Sequence, residues 1–320
     1  MLFSPKQLER LSQDSRLPEE CREALARAGM SGLARGHLPV RQTDPASVYD
    51  CGGAEVLPGT LVDIPASNDP TCLRASEFAR GMLDFMRQCF GRDSYDDKHA
   101  PVVSSVHYSR IFSNAYWNGE QMVYGDGDGL MILDFTLAPE FIGHEIFHAV
   151  TEHTCALAYD GEAGALNESM SDVFGSVFQQ WRSGETVDRA DWKFGNELMG
   201  PTALALGWSC VRSLAEPSAV WSMTRQPSHY SHYDSTGGPH DNSGIPNHAF
   251  YLAAMATGGE SWKQLAPVWY ASLLDRRAHP RLSFQEFAAL TVEHAKKSFS
   301  GNADLAAAVR IGWNRVGVIC

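Results

Sequence analysis

His144-Glu145-Ile146-Phe147-His148, with Glu168 twenty residues after the second histidine, is the pattern on which the reading of this chain turns. Residues four apart on a helix lie nearly one above the other, so both imidazoles can face one metal ion while Glu145 projects beside it. Two histidines leave a zinc site incomplete. Glu168 lies in Gly164-Ala165-Leu166-Asn167-Glu168-Ser169-Met170-Ser171-Asp172, which also reads as helix and can supply the third ligand. Two histidines and one glutamate leave a position open for water, the mark of a catalytic rather than a structural zinc. Asn167 and Asp172 fall where each can bond the outer nitrogen of a ligand histidine and fix its tautomer. The flanks read as a helix continued by Ala149, Val150 and Leu157 and stopped at Asp160-Gly161. A lone H-E-x-x-H is a weak signal, and a solvated helix carboxylate is the lesser alternative for Asp172 alone; the combination carries the argument.

The chemistry follows from the residue types. An amide is a poor electrophile and neutral water a poor nucleophile. Zinc polarises a carbonyl and acidifies water. A carboxylate such as Glu145 serves as the general base, typically worth about two to four orders of magnitude in rate. A donor aimed at the developing oxyanion adds roughly two to three more.

Here the chain resembles the thermolysin-like neutral zinc metalloproteases. Two further blocks support this: Ser113-Asn114-Ala115-Tyr116-Trp117-Asn118-Gly119 leading into Met122-Val123-Tyr124-Gly125-Asp126-Gly127-Asp128-Gly129, and Gly237-Gly238-Pro239-His240-Asp241-Asn242-Ser243-Gly244-Ile245. The resemblance extends from about Val48 to the end of the chain. It implies an α+β, two-lobed fold, strand-rich then helical, with the His144 helix at the cleft. It implies zinc on His144, His148 and Glu168, Glu145 as general base, and Tyr159 and His240 as oxyanion donors. Asn114 and the Ala115 carbonyl would pair with substrate backbone, in a substrate-binding stretch that includes Tyr116, and Arg212 would hold a substrate carbonyl. Ile132, Phe141, Phe194 and Val211 would line an apolar pocket for the residue after the cut.

Two departures stand out. The aspartate that in most relatives supports the catalytic histidine is here Ser235, and Asp234, one step away, is the candidate to replace it. Of the acids of the family's paired calcium site, Glu140 and Asp191 remain, whereas the other matching positions are Gln179, Lys193 and Asn196. Calcium prefers several anionic oxygens, so the expectation is one weak site or none.

Residues 1–45 read as a helical pro-segment-like unit and linker, 46–150 as the first catalytic lobe and 151–320 as the second. Ser4-Pro5 starts a helix carrying Leu8 and Leu11; Pro18-Glu19-Glu20 starts another with Cys21, Ala24 and Leu25 on one face, ending near Gly29 or Gly32. Gly36 to Pro45 reads as linker. In length and placement the hairpin is similar to the pro-segment of the protealysin-like branch; a permanent N-terminal lobe is the alternative. Further on, Leu61-Val62-Asp63-Ile64 and Val102 to Val106 read as strands, and Leu73–Phe90, Pro246–Thr257 and Phe284–Ser298 as helices.

With 44% hydrophobic and 20% charged residues the composition is that of a globular enzyme, and no apolar run is long enough for a membrane span. A net charge of −12 without a Lys/Arg cluster argues against a nucleic-acid partner. Peptides or proteins are the expected substrates, and a proteinaceous inhibitor is a candidate partner. Seven cysteines lack any C-x-x-C pair, which leaves buried thiols, with Cys51–Cys72 or Cys72–Cys89 as the conceivable bridges. Residues 1–10 lack the basic start and apolar core of a secretory signal, so cytoplasmic synthesis is expected, with export by another route open. Two other function classes remain: a silent fold that binds peptides, against which Glu145, Tyr159 and His240 argue, and a non-peptidase zinc hydrolase, against which Asn114-Ala115 argues.

Overall fold

The computed structural model describes residues 3–30, 44–298 and 303–320. The N-terminal hairpin is α1 (Pro5–Ser12) and α2 (Glu19–Met30). Ser4 and Gln7 bond each other's backbone in a capping box, with Pro5 at the first turn. Leu8, Leu11, Cys21, Ala24 and Leu25 are buried, as their spacing suggests. Most of the expected linker lies outside the described residues.

The first lobe is built on β1 (Ala46–Asp50), β2 (Thr60–Leu61), α3 (Pro70–Phe90), β3 (Val102–Val106), β4 (Ala115–Trp117) and β5 (Met122–Tyr124). The five strands run in the order β2-β1-β3-β5-β4, so β2 and β4 are the edge strands. β1, β3 and β5 are parallel, whereas β2 and β4 pair antiparallel to their neighbours. β2 is shorter than its apolar run suggested, because Pro65 turns Ile64–Ala66 into a 3-10 helix. α3 begins three residues before the expected start: Asp69 accepts the amides of Thr71 and Cys72, and Pro70 occupies the first turn. Gly125 has to be glycine, since a β-carbon there would lie 1.9 Å from the Phe112 carbonyl oxygen.

α4 (Pro139–Glu152) and α5 (Gly161–Ser183) form the spine between the lobes and are buried along most of their length. Phe147 and Phe174 stack between them at 4.0 Å. α4 ends at Glu152, before the expected stop; Leu157 lies in the connecting loop, and Asp160 precedes α5 rather than terminating α4. The second lobe adds β6 (Lys193–Phe194), α6 (Pro201–Ala205), β7 (Arg212–Ser213), α7 (Pro239–Asn242), α8 (Gly244–Thr257), α9 (Leu265–Leu273), α10 (Phe284–Ser298) and α11 (Ala303–Arg315). The strand-rich lobe followed by a helical lobe is the expected architecture. All seven cysteines are free thiols, so neither conceivable bridge forms.

His107, just beyond β3, joins three segments. Its Nε2 lies 2.9 Å from Asp69 at the start of α3, and its Nδ1 lies 2.8 Å from Asp126 beyond β5. The Asp126 carboxylate, opposed by partial burial and aided by Asp69, raises the imidazole to about 9 from 6.5. A raised folded-state value stabilises fully below the unfolded value, and the gain disappears as pH rises through about 9. His107→Gln should therefore lower the urea midpoint at neutral pH. The gap to wild type should close at alkaline pH; a gap constant across that range would exclude this role for the imidazolium.

Candidate active site

The buried spine holds the metal-ligating set. His144 and His148 face Glu168 across the α4–α5 seam, with one ligand atom from each lying within 4.8 Å of the others. His144 Nδ1 lies 2.9 Å from Asp172 Oδ1, and His148 Nδ1 lies 2.9 Å from Asn167 Oδ1. The outer nitrogens are thus engaged and the inner ones point at Glu168. His144 Nε2, His148 Nε2 and Glu168 Oε2 are buried without hydrogen-bond partners. Such orphans are costly unless a cation completes them, so these residues fit zinc. The grouping of Asp69, Cys72 and His107 has a different character, since both nitrogens of His107 are already bonded to carboxylates.

The electrostatics suit a metal site. Burial, reinforced by neighbouring His148, lowers His144 well below its ordinary value, and burial lowers His148 to about 4. Both rings are therefore neutral and free to ligate. Burial pushes Glu168 up, but His240, His148 and His144 outweigh it and hold the carboxylate at about 2. Glu145 is raised by burial, although its Oε2 accepts the Trp117 amide at 2.7 Å.

Around this centre, the Tyr159 hydroxyl reaches Glu168 and lies 3.3 Å from His240 Nε2. Desolvation of its hydroxyl end and the Glu168 carboxylate raise that phenol well above its usual value, so it remains a donor although the residue as a whole is half exposed. His240, on α7, places Nε2 3.4 Å from Glu168 Oε1. Arg212, fully buried, donates to Asp172 from Nε at 3.1 Å and Nη2 at 2.8 Å, with its guanidinium 5.0 Å from the Phe194 ring centroid. Phe141 and Phe194 meet edge to face at 4.5 Å, and Gly195 lies close to both Phe141 and Val211. Ile132, bridged to Met199, is equally buried. Tyr116 packs among Tyr108 and Phe112.

Asn114, beside edge strand β4, is engaged by the hairpin: Phe3 donates its amide to Asn114 Oδ1, and Asn114 Nδ2 donates to the Phe3 carbonyl, both at 3.1 Å. Asp234 does not take up the expected role. Its carboxylate accepts the Thr236 amide and hydroxyl at 2.8 and 2.7 Å, so the loop holds it as a turn cap. Sequence reasoning missed Trp117, whose amide holds Glu145, and Asn247, which donates to Asp172 Oδ2 at 2.8 Å. Neither contact has a local sequence signal, because each crosses between elements.

A two-histidine, one-glutamate set that fits zinc, with an adjacent glutamate, between a strand-rich and a helical lobe, is the arrangement of a zinc metalloendopeptidase. Residues 61–152 match the family model of the thermolysin metallopeptidase catalytic domain, and residues 155–318 match that of its alpha-helical domain. The chain belongs to the thermolysin metallopeptidase family. It is 40% identical over 293 residues to an extracellular metalloprotease of Pectobacterium carotovorum subsp. carotovorum, covering 88% of this chain and 83% of that one. A thermolysin of Bacillus sp. (strain EA1) is 33% identical over 84% of this chain and 50% of its own. The precursor of protealysin, a metalloproteinase from Serratia proteamaculans, superposes with a TM-score of 0.88 at 35% identity, over 99% of both chains.

Asn167→Ala should weaken zinc binding roughly 10- to 100-fold by freeing the His148 ring, as measured by chelator competition on folded protein. Unchanged affinity would show that Asn167 does not orient the ligand.

Proposed function

We infer that the chain is made as a precursor and cuts peptide bonds before large hydrophobic residues, with the residues named above in specific roles. The observation that carries this reading is the set of buried ligand atoms of His144, His148 and Glu168, converging without hydrogen-bond partners beside Glu145. Bound zinc supplies Lewis acidity towards the scissile carbonyl and acidifies water. Glu145 takes the proton of the attacking water and passes it to the leaving nitrogen. The Trp117 amide fixes that carboxylate in place. Tyr159 and His240 donate to the oxyanion, and Asp172 orients His144 while anchoring Arg212 for a substrate carbonyl. Phe141, Phe194 and Val211 favour an apolar side chain on the leaving side.

The hairpin supports the precursor reading. Phe3 is fully buried and satisfies both polar groups of the Asn114 side chain, which a substrate backbone would otherwise use. Cleavage in the stretch joining α2 to β1 frees the cleft. The name of the Pectobacterium relative supports export from the cell. No helix among the described residues is long and apolar enough to cross a membrane.

For calcium we favour one weak site. Glu140 Oε2 and Gln179 Oε1 are buried without partners in a cavity also lined by Asp191, Asn196, Glu185 and Glu197. Glu185 and Glu197 add acids that the sequence reading overlooked. Lys193 borders the cavity, but its ammonium lies 5.5 Å from the centroid of Trp221. Burial, together with the charges of Glu197 and Asp191, raises Glu140 to about 8, so a proton competes with the cation at neutral pH.

Purified chain should cleave a quenched peptide before a hydrophobic residue and shorten itself between about Leu33 and Tyr49. A zinc chelator and Glu145→Gln should each abolish both events, as followed by intact mass and mapped termini. Full activity in Glu145→Gln would overturn the mechanism, and a full-length, fully active wild type would make the hairpin a permanent lobe. Metal analysis should find at most one calcium per chain, bound more tightly as pH rises through about 8. Two tightly held calcium ions would reject the single-site reading.

A further inference from the structure

The hairpin attaches to the second lobe through cations. Arg10 forms an ion pair with Asp241 Oδ1, joined there by Gln7 Nε2 at 3.2 Å. Lys6 Nζ donates to the Thr236 carbonyl at 2.7 Å, and the Arg16 guanidinium lies 5.3 Å from the Trp208 ring centroid. Three positive side chains of one short segment thus meet a carboxylate, a carbonyl and an indole face, all groups that attract cations. Asp241 directly follows His240, and its other oxygen accepts the Gly238 amide at 3.1 Å. Its carboxylate is therefore held through both oxygens rather than free to swing.

The chain direction links this surface to substrate. Phe3 exchanges both backbone hydrogen bonds with Asn114, and the chain then leaves the cleft through Ser4 into α1. From Phe3 to Pro5 it advances at most about 7 Å, and along the helix from Pro5 to Arg10 about 8 Å more. An extended peptide covers that span in roughly two to four residues, allowing for the reach of a long side chain. With the hairpin gone, Asp241 lies within a few extended residues of Asn114, on the side towards which the chain runs C-terminally from Phe3.

We propose that Asp241 is a specificity-determining residue of the mature enzyme, selecting lysine or arginine a few residues beyond the cut, with Thr236 and Trp208 extending the same cation-accepting surface. This rests on the peptidase reading above and names the substrate class which that site favours. The hairpin is held by the same surface that later reads substrate, so basic side chains in Lys6, Arg10 and Arg16 mimic substrate as well as stabilise the hairpin.

The test uses the full chain, activated by its own processing or by a nick introduced between residues 31 and 43. Three peptides share the residues around the cut and carry lysine, glutamine or glutamate two to four places beyond the residue paired with Asn114. Wild type should favour lysine over glutamate in kcat/KM roughly five- to twentyfold, less so at high salt. Asp241→Asn, which keeps an acceptor for Gly238, should bring the ratio close to one. Equal rates in wild type, or an unchanged ratio in Asp241→Asn, would overturn the proposal. A uniform loss on all three peptides would also overturn it, since Asp241 would then act through the His240 loop alone. Binding of the same peptides to nicked Glu145→Gln gives the ratio without turnover. Failure of wild type to cut even the glutamine peptide would instead count against the peptidase reading.

Discussion

The close approach of α4 to α5 is the constraint on which the active site depends. A β-carbon on Gly175 would lie 2.3 Å from the Glu140 carbonyl oxygen, and one on Gly143 would lie 3.2 Å from the Gly175 α-carbon. Any larger residue at this crossing would force the helices apart. The two histidines of one helix and the glutamate of the other would then no longer converge. The glycine contact and the metal ligands are spaced along the same helix faces, so backbone packing sets the size of the metal pocket before any ligand atom is considered.

That packing also creates an electrostatic problem. His144, Glu145, Glu168, Asp172 and Arg212 are all fully buried, where isolated charge is expensive. The solution is a connected network. Arg212 and Asn247 bond Asp172, Asp172 bonds His144, and His144 and His148 lie beside Glu168. Burial keeps the imidazoles of His144 and His148 neutral and therefore ligating, and Glu168 stays a carboxylate, its affinity for protons lowered by His240 foremost. Glu145 is different: its raised affinity for protons suits a base that must accept one and then release it. One low-dielectric environment thus assigns opposite roles to two glutamates through their nearest neighbours.

What the sequence makes legible follows the range of the interactions. The H-E-x-x-H pair, Glu168 and their orienting partners Asn167 and Asp172 lie on two helices, where spacing alone fixes which side chains share a face. The two hairpin helices, α10 and the C-terminal end of α8 could be read from caps and apolar spacing. The end of α4 could not, because an apolar residue in a buried loop, Leu157, looks like a continued helix face. Asp234 was misplaced for a similar reason. Proximity in sequence to the His240 loop says nothing about whether a carboxylate turns towards the ring or, as here, caps its own turn through Thr236. Trp117, Asn247 and Glu197 reach their partners across 28, 75 and 57 residues of chain respectively, and no local pattern encodes such contacts.

The hairpin shows how a complete catalytic centre is compatible with a precursor. None of the metal ligands is displaced: His144, His148 and Glu168 converge while the hairpin is in place. Phe3 instead occupies the hydrogen-bonding groups of Asn114, beside the edge strand. The Asn114 side chain offers an acceptor and a donor to any extended backbone, so it is a natural point at which to block access without disturbing the chemistry. A short pairing of this kind is weak alone, and the basic side chains that α1 and the following loop place on the second lobe hold it down. On the proposed precursor reading, inhibition would depend on the connection between hairpin and body, which raises the local concentration of an otherwise weak blocker, and cutting that connection would allow it to leave.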